Sequence, residues 1–374
     1  MDMSVTESSK INITLSSGKR YPVCVDRGFK KEFFSDLVSL KASSYFVLSQ
    51  RGFENLFLQK FLKELGGYVS IPDDHVLLLE PGEENKHLSL LGPVYNKMID
   101  AGADRRSVIV AVGGGVVGDF AGFVAATLHR GIRFVQVPTT LLSAVDASVG
   151  GKVAINVDRG KNMVGAFHQP ELVYFNIELL ATLPEKEWLC GLSEMVKHAF
   201  LEEDGNIFSF MQKNSMHLRN YRSELLQKAV MDSIAFKASV VERDEYEGGL
   251  RAILNLGHTT AHAIESYTQY SKFSHGEAVS RGLVTMMYLS ESLMGLPMQD
   301  KNEMLELMKE LKLPMDTAGI SANDLLLHLK YDKKTVGGIP MFVLLKKRGR
   351  YEYGVEVSEE SFSEAWNHQR SDFG

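Results

Sequence analysis

Short apolar runs alternate with amphipathic stretches through the first half of the chain. Four runs are rich enough in apolar and β-branched residues to predict buried strands, at residues 45–49, 75–79, 107–112 and 133–137. The amphipathic segments predict helices at residues 30–40, 54–65, 87–101 and 119–129. Strands that alternate with helices indicate a parallel sheet covered on both faces. A hairpin is also predicted within residues 11–26, where Ser-Ser-Gly separates two strand-like runs.

The pattern changes near residue 185, where amphipathic helical runs begin to dominate, with a strand-like MFVLL at residues 341–345. Pro184 marks the boundary, because proline suits the first turn of a helix. We therefore expect an α/β protein, with an N-terminal parallel-sheet domain at residues 1–184 and a mostly α-helical domain at residues 185–374.

Composition narrows the function classes. The 374 residues are 44% hydrophobic and 24% charged, which is typical of a soluble globular protein. A net charge of −6 argues against nucleic-acid binding, which needs a basic face. No run of about 18 apolar residues predicts a membrane span, and the N-terminus lacks the basic start and apolar core of a signal peptide. Cys24 and Cys190 are expected to be free thiols in a reducing, cytoplasmic compartment.

A glycine-rich turn follows the run at residues 107–112. Gly113, Gly115 and Gly118 have the G-x-G-x-x-G spacing between a predicted strand and a predicted helix, the context in which this motif binds phosphate. Such triplets also form simple turns. The acidic residue expected about 20 positions later is missing, because the next strand ends in Pro-Thr-Thr. The ordinary Rossmann fold is therefore excluded, and another pyridine-nucleotide fold is indicated.

The carboxyl ends of the predicted strands are the expected place for a ligand. Around that crevice we expect Ser49, Glu83, Lys86, Gly113–Gly115, Thr139 and Thr140. Further along the chain, a second group combines paired glycines with charged and amide side chains: Asp146, Gly150-Gly151-Lys152 and Lys161-Asn162. Glycines beside lysines are typical of a site that receives an anion, although a solvated loop has the same composition.

Three clusters in the second half suggest metal or acid–base chemistry. They pair Glu194 with Lys197, His258 with His262, and His275 with Glu277. One glutamate and two histidines form a common ligand set for catalytic zinc. Spacing alone favours His258 and His262 as the histidine ligands, because they lie four residues apart on one helix face. It does not decide which histidines bind the ion, since each pair is also compatible with ordinary surface or structural positions. The residues Glu247, Arg251 and Asn255 would share a face if one helix spanned them, although Gly248-Gly249 argues for a break.

Four motifs in series are similar to those of one enzyme family: GGGVVGDFAGF, QVPTTLL, VDASVGGK and GKNMVGAFHQP. The chain resembles the 3-dehydroquinate synthases of the shikimate pathway from these motifs to at least Lys334. The resemblance implies conversion of 3-deoxy-D-arabino-heptulosonate 7-phosphate into 3-dehydroquinate and phosphate. The implied route is transient NAD-dependent oxidation, phosphate elimination, re-reduction and intramolecular aldol cyclisation. It also implies a first domain that binds NAD and a second that binds metal and substrate.

The resemblance implies roles for individual side chains. The implied ligands of a divalent ion, zinc or cobalt, are Glu194, His258 and His275. The implied NAD contacts are Glu83, Lys86, Gly114, Gly115, Val116, Asp119, Thr139, Thr140, Lys152, Lys161 and Thr182. The implied substrate contacts are Arg130, Asp146, Lys152, Asn162, Lys197, Lys237, Arg251, Asn255, His262 and Lys334. The implied catalytic residues are Glu247, His262, Lys152 and Lys197.

Several details of this reading stay open. Sequence alone does not separate Lys333 from Lys334. The family pattern has Arg130 reach in from a neighbouring subunit, so a homodimer is expected. Ala261, His198 and Asn176 stand where the family often has Gly, Tyr and Asp, and the segment around Ser49 matches only loosely.

Three other functions are compatible with the sequence. They are another sugar phosphate cyclase, a metal-dependent alcohol or glycerol dehydrogenase of the same fold, and an inactive nucleotide-binding or structural homologue. The resemblance implies that the other cyclases change the residues on the substrate side. This chain keeps Lys237, Arg251, Asn255 and His262, which favours a substrate with a carboxylate. An acidic protein that gathers lysines and arginines locally also suits a small anionic sugar phosphate.

Overall fold

The computed structural model describes residues 9–158, 160–329 and 340–374, and it describes only the backbone of Asn55. Both candidate lysines near the C-terminus, Lys333 and Lys334, lie outside the described residues. The chain divides into two compact units, one of Met1–Leu183 with Val241–Tyr246 and one of Pro184–Val240 with Glu247–Gly374. The assignment of NAD binding to the first half and of metal and substrate binding to the second stays a prediction.

The first unit alternates strands and helices, as the sequence pattern predicts. Its described strands are β1 (Lys10–Thr14), β2 (Arg20–Asp26), β3 (Tyr45–Gln50), β4 (Val76–Leu79), β5 (Val108–Gly113), β6 (Arg133–Pro138), β7 (Lys152–Val157), β8 (Gly160–Phe167) and β9 (Leu172–Asn176). Its described helices are α1 (Lys31–Ser39), α2 (Gln59–Gly66), α3 (Leu91–Asp100) and α4 (Gly115–Thr127).

Seven of these strands form one sheet in the order β1-β2-β9-β6-β5-β3-β4. All neighbouring pairs are parallel except β1 and β2, which form the predicted hairpin. The central strand β5 is buried along its whole length, as expected for a strand covered on both faces. One apolar cluster lies on the α4 side and includes Phe120 and Phe134, and the other lies on the α1 and α2 side and includes Phe33 and Phe61. The predicted α/β fold is confirmed.

Two details of the first unit differ from the prediction. Helix α4 begins at Gly115, four residues before the predicted start, because the glycines belong to its first turns as well as to the loop. The segment after Gly150-Gly151 forms a separate hairpin of β7 and β8 where glycines and lysines suggested a loop. This hairpin covers α4 closely, since a Cβ on Gly122 would lie 2.3 Å from Val153 Cγ1. Helix α4 is therefore apolar on nearly all sides.

The second unit is mainly helical. Its described helices are α5 (Glu185–Leu201), α6 (Asn206–Asn214), α7 (Glu224–Arg243, of which the last three residues group with the first unit), α8 (His258–Tyr267), α9 (His275–Met294), α10 (Met298–Glu310), α11 (Ala322–Leu329) and α12 (Glu359–Phe373). Its described strands are β10 (Met341–Lys347) and β11 (Arg350–Glu356), which pair as an antiparallel ribbon. Among the described residues, no helix has both the length and the apolar character needed to cross a lipid bilayer.

Helix α9 lies unusually close to its neighbours in the second unit at two glycines. A Cβ on Gly276 would lie 2.1 Å from Cys190 Cα in α5. A Cβ on Gly282 would lie 2.1 Å from the carbonyl oxygen of Gly257, the residue before α8. Gly257 has φ +77°, a conformation that favours glycine. The positions of α5, α8 and α9 relative to each other therefore depend on these three glycines.

We predict that Gly282→Ala destabilises the protein by about 3 kcal/mol, because the added methyl group overlaps backbone atoms that have no room to move. The matched control is Gly92→Ala in α3, where a Cβ would meet nothing within 4 Å. That change should leave stability unchanged or raise it by up to about 1 kcal/mol. Urea unfolding measures both. Equal midpoints for the two variants would contradict the packing described for α9.

We also predict that Cys24 and Cys190 are unreactive in the native protein. Both are free and buried, and burial raises the pKa of each thiol to about 11. Only the thiolate is nucleophilic, so labelling by a disulfide reagent at pH about 8 should be slow. Both thiols should react at once after denaturation in guanidinium chloride. Rapid labelling of the folded protein would show that at least one of them is accessible.

Candidate active site

The glycine turn of the first unit joins β5 to α4. Gly114 is the N-cap of α4, and Gly115 is its first helical residue. The turn lies against the end of β6, since Thr139 N donates to Gly113 O over 3.0 Å and a Cβ on Gly114 would lie 3.2 Å from Thr140 Cγ2. A helix N-terminus with small residues around it lets a phosphate approach the backbone N–H groups. The structure thus brings the glycines and threonines together, with Val116 half-buried in the first turn.

A group of charged side chains lies beside this turn. Lys86 is 2% exposed, and its Nζ is 2.6 Å from Asp119 Oδ2 and 3.8 Å from Glu83 Oε1. Burial raises the pKa of Asp119, and the Lys86 ammonium partly offsets that effect. Ser49 lies at the end of β3, where its hydroxyl donates to Val112 O over 2.8 Å. The Ser49 hydroxyl therefore has a structural contact of its own.

Most of the remaining candidates of the first unit lie on the segment from Ser143 to Phe167. The other two are Thr182 and Arg130. Asp146 is half-buried in a π-helical turn, Ser143–Ala147. Lys152 is exposed at the start of β7, and Lys161 and Asn162 lie at the start of β8. Thr182 is exposed at the end of a short 3-10 helix, Ile177–Thr182.

Arg130 lies away from the glycine turn of its own chain. It is exposed just beyond the C-terminal end of α4, whereas the glycine turn is at the N-terminal end, and a helix of this length spans about 20 Å. Arg130 and its neighbours His129 and Gly131 all have positive φ, at +69°, +52° and +120°. Such backbone conformations are costly for residues other than glycine.

The second unit brings Glu194, His258 and His275 together. Each offers one ligand atom, and these atoms all lie within 4.8 Å of one another. The Nε2 atoms of His258 and His275 are 3.6 and 3.8 Å from Glu194 Oε1. The three residues come from three helices, with Glu194 in the middle of α5 and the histidines at the first positions of α8 and α9.

This arrangement fits a divalent ion. Glu194 is fully buried, and neither carboxylate oxygen has a hydrogen-bond partner of good geometry among the described residues, although Lys197 Nζ makes an ion-pair contact with Oε2. Burying a carboxylate is costly without strong compensation. Two imidazoles and one carboxylate form a donor set that zinc and related ions accept, and it leaves a position for a substrate oxygen.

The other nitrogen of each histidine has its own partner. His258 Nδ1 lies 3.1 Å from Leu256 O, and His275 Nδ1 lies 3.2 Å from Glu265 Oε1. Contacts of this kind direct Nε2 of each ring toward the ion. Sequence reasoning did not identify Glu265. Its position seven residues after His258, two turns along α8, is the signal that places it on the same face.

His262 lies one turn after His258 in α8. It is half-buried, and the two rings lie 5.8 Å apart at their centroids, whereas the rings of His258 and His275 are 5.3 Å apart. The histidine pair favoured by spacing alone is therefore not the pair found beside Glu194. His262 lies beside the cluster, where it can exchange a proton or a hydrogen bond with a ligand.

Three of the predicted substrate contacts are buried cations of the same unit. Lys197, Lys237 and Arg251 are 1%, 5% and 2% exposed. Arg251 and Asn255 lie on a short 3-10 helix, Leu250–Asn255, that leads into α8. Glu247 lies before this helix with φ +59°, so a single helix does not span the three residues; the break at Gly248-Gly249 prevents it.

Three further residues noted in the sequence have structural contacts. Glu277 forms a capping box with Ser274 at the start of α9. His198 Nδ1 lies 2.7 Å from Ser233 Oγ inside the core. Asn176 Oδ1 accepts from Gly28 N and Glu178 N, a task that an aspartate would also perform.

Comparison with known proteins adds independent information. Residues 76–190 match the family model described as 3-dehydroquinate synthase N-terminal, and residues 191–335 match the one described as 3-dehydroquinate synthase C-terminal. The 3-dehydroquinate synthase of Leptospira interrogans is 46% identical over 328 residues, covering 88% of this chain and 89% of the relative. That of Halalkalibacterium halodurans is 41% identical over 355 residues, covering 94% and 96%.

Solved structures share the fold at lower identity. A 2-deoxy-scyllo-inosose synthase complexed with carbaglucose-6-phosphate, NAD⁺ and Co²⁺ has a TM-score of 0.84 at 24% identity, covering 97% of this chain and 99% of the other. The 2-epi-5-epi-valiolone synthase of Streptomyces hygroscopicus, with NAD⁺ and Zn²⁺ bound, has a TM-score of 0.80 at 21% identity, covering 94% and 97%. A probable glycerol dehydrogenase of Sinorhizobium meliloti has a TM-score of 0.64 at 16% identity, covering 94% and 96%.

We predict that Glu265→Ala weakens zinc binding about 10- to 100-fold, because His275 loses the partner that orients it. Glu265→Gln should have a smaller effect, since an amide oxygen still accepts from Nδ1. Competition with a chromogenic chelator measures the affinity, and the cobalt absorption spectrum reports the coordination geometry. Unchanged affinity and spectrum in the alanine variant would show that Glu265 does not support the ligand.

Proposed function

Because the chain belongs to the 3-dehydroquinate synthase family, we propose that its first unit binds NAD and its second unit binds a divalent ion and the sugar phosphate. The reaction converts 3-deoxy-D-arabino-heptulosonate 7-phosphate into 3-dehydroquinate and phosphate. NAD supplies reversible hydride transfer and the ion supplies Lewis acidity. The observation that carries the proposal is the cluster of Glu194, His258 and His275 beside a buried lysine.

The first unit holds the cofactor through its glycine turn. The N–H groups of Gly114, Gly115 and Val116 receive the pyrophosphate at the start of α4. Glu83 accepts from ribose hydroxyls, and Asp119 keeps Lys86 in place beside it. The family pattern implies further NAD contacts from Thr139, Thr140, Lys152, Lys161 and Thr182.

The buried cations of the second unit hold a doubly anionic substrate. Charge-assisted contacts from Lys197, Lys237 and Arg251 bind carboxylate and phosphate oxygens strongly because these side chains are largely removed from water. Asp146, Asn162 and Asn255 orient hydroxyl groups. Lys334, outside the described residues, is the further cation that the family pattern implies.

Two residues transfer protons in this proposal, and a third stabilises developing charge. His262 lies beside the metal ligands and exchanges a proton with a substrate hydroxyl. Lys197, which contacts Glu194, keeps positive charge near the oxygen that becomes an alkoxide. Glu247 accepts a proton from a loop position where its backbone is held at positive φ.

The chain acts as a homodimer in this proposal. Arg130 is exposed and lies about a helix length from the glycine turn of its own chain. Three consecutive residues with positive φ hold it there. Local backbone strain of this kind is typical of a functional position. In this proposal the function of Arg130 is to bind the substrate phosphate in the active site of the partner subunit.

We predict that the purified protein releases phosphate from the heptulosonate 7-phosphate without net NADH accumulation, because the hydride is returned in each turnover. Glucose 6-phosphate and sedoheptulose 7-phosphate should release none. A phosphate assay and absorbance at about 340 nm measure the two quantities. Steady NADH production with glycerol would indicate a dehydrogenase, and phosphate release from either other sugar would indicate a different cyclase.

We predict that Glu194→Ala abolishes zinc binding and lowers kcat by about 10³-fold or more, because a charged ligand is lost. The matched control is Glu277→Gln, which keeps a residue able to form the capping box of α9. That control should retain metal and activity. Zinc content by mass spectrometry reports the site separately from turnover, and a Glu194→Ala protein with full zinc and full activity would remove Glu194 from the site.

A further inference from the structure

Asn156, in strand β7, links two segments of the first unit. Its side-chain amide donates to Glu83 O over 3.0 Å and to Glu83 Oε1 over 2.9 Å. Its Oδ1 accepts from Asn162 N over 2.9 Å. Its backbone N–H donates to Lys86 O over 2.7 Å. One residue, 7% exposed, thus contacts both the segment at residues 83–87 and the start of β8.

Both segments have irregular backbone at the residues that Asn156 contacts. Glu83–Asn85 is a single 3-10 turn, preceded by Gly82 with φ +115°. Asn162 has φ +53°, an uncommon conformation for a residue other than glycine. Hydrogen bonds from a neighbouring strand therefore help to hold both residues in place. Asn156 supplies such a contact to each from a strand that is itself paired and packed on α4.

The contacts differ in chemistry on the two sides. Toward Glu83 the Asn156 amide acts as a donor to a carboxylate, which fixes the rotamer of that side chain. A carboxylate held in one orientation accepts ribose hydroxyls without first losing side-chain freedom. Toward Asn162 the Asn156 side chain acts as an acceptor from the backbone, which fixes the direction in which the Asn162 side chain leaves β8.

We propose that Asn156 is a positioning residue that orients Glu83 for the dinucleotide and Asn162 for the sugar phosphate. The inference rests on the proposed function, since it uses the ligands assigned there to Glu83 and Asn162. Asn156 itself contacts neither NAD nor the sugar phosphate in this proposal and acts through Glu83 and Asn162. Because the donor and acceptor atoms of one amide serve different segments, substitution can separate the two effects.

The separating variant is Asn156→Asp. A carboxylate still accepts from Asn162 N but no longer donates to Glu83, and it places like charge beside the Glu83 carboxylate. We expect the dissociation constant for NAD⁺ to rise 10- to 100-fold in calorimetric titration, as for loss of a hydrogen bond to a charged group. The KM for the heptulosonate at saturating NAD⁺ should stay within about twofold of the wild-type value, a range well below the tenfold change that one charged hydrogen bond gives. Asn156→Ala removes both contacts and should raise both constants.

Two controls test whether the effect passes through Glu83. Asp158→Ala breaks an exposed contact of 3.2 Å between Asp158 and His87. That contact joins residues 83–87 to the chain between β7 and β8, but it touches neither Glu83 nor Asn162. It should bind NAD⁺ like the wild type. In a Glu83→Gln background, Asn156→Asp should lose most of its effect on NAD⁺ affinity, because interacting residues give non-additive changes.

The outcomes distinguish this inference from the proposed function. A wild-type protein that binds no NAD⁺ and releases no phosphate would contradict the proposed function itself. An active wild type with NAD⁺ affinity unchanged in Asn156→Asp would overturn only the role of Asn156. An affinity loss of equal size with and without the Glu83 carboxylate, or equal loss in Asp158→Ala, would show a general structural effect and would likewise overturn it.

Discussion

The metal-ligand cluster depends on how closely three helices approach one another at glycines. Glu194, His258 and His275 lie on α5, α8 and α9, so no local turn holds them together. Gly276, the neighbour of His275, lies against the α5 backbone, and Gly282 lies against Gly257, the neighbour of His258. Side chains at these positions would separate the helices by more than the tolerance of a coordination shell. Helix packing therefore sets the geometry of this candidate ligand set.

The second unit buries several charged side chains, and the proposed function gives a reason for them. An ion pair as deeply buried as Glu194 and Lys197 adds little to stability, because removing both groups from water costs about as much as their attraction returns. Lys237 and Arg251 add further buried positive charge. In the proposed function, a divalent ion beside the carboxylate and an anionic substrate beside the cations compensate these groups. Catalysis, more than folding, accounts for their presence.

The sequence predicts the sheet well because its strands and helices have distinct apolar periods, as in β5 and the helices around it. It predicts the β7–β8 hairpin poorly, since β8 is mostly exposed and its glycines are typical of a loop. Side chains with unusual chemistry, such as the histidines, stand out individually. Glu265 and Asn156 do not, because each acts through a neighbour that only the folded chain supplies.

The two units hold their functional residues by different means. In the second unit the two histidines occupy the first positions of α8 and α9, whose close packing leaves little freedom, as a metal ion requires. In the first unit Glu83 lies on a short turn and Asn162 lies at the start of the mostly exposed strand β8, and hydrogen bonds from Asn156 in β7 contact both residues. Such turns adjust to a ligand more readily than packed helices do. In the proposed function, a cofactor that must accept and return a hydride is thus held by the more adaptable part of the chain, and the ion by the more rigid part.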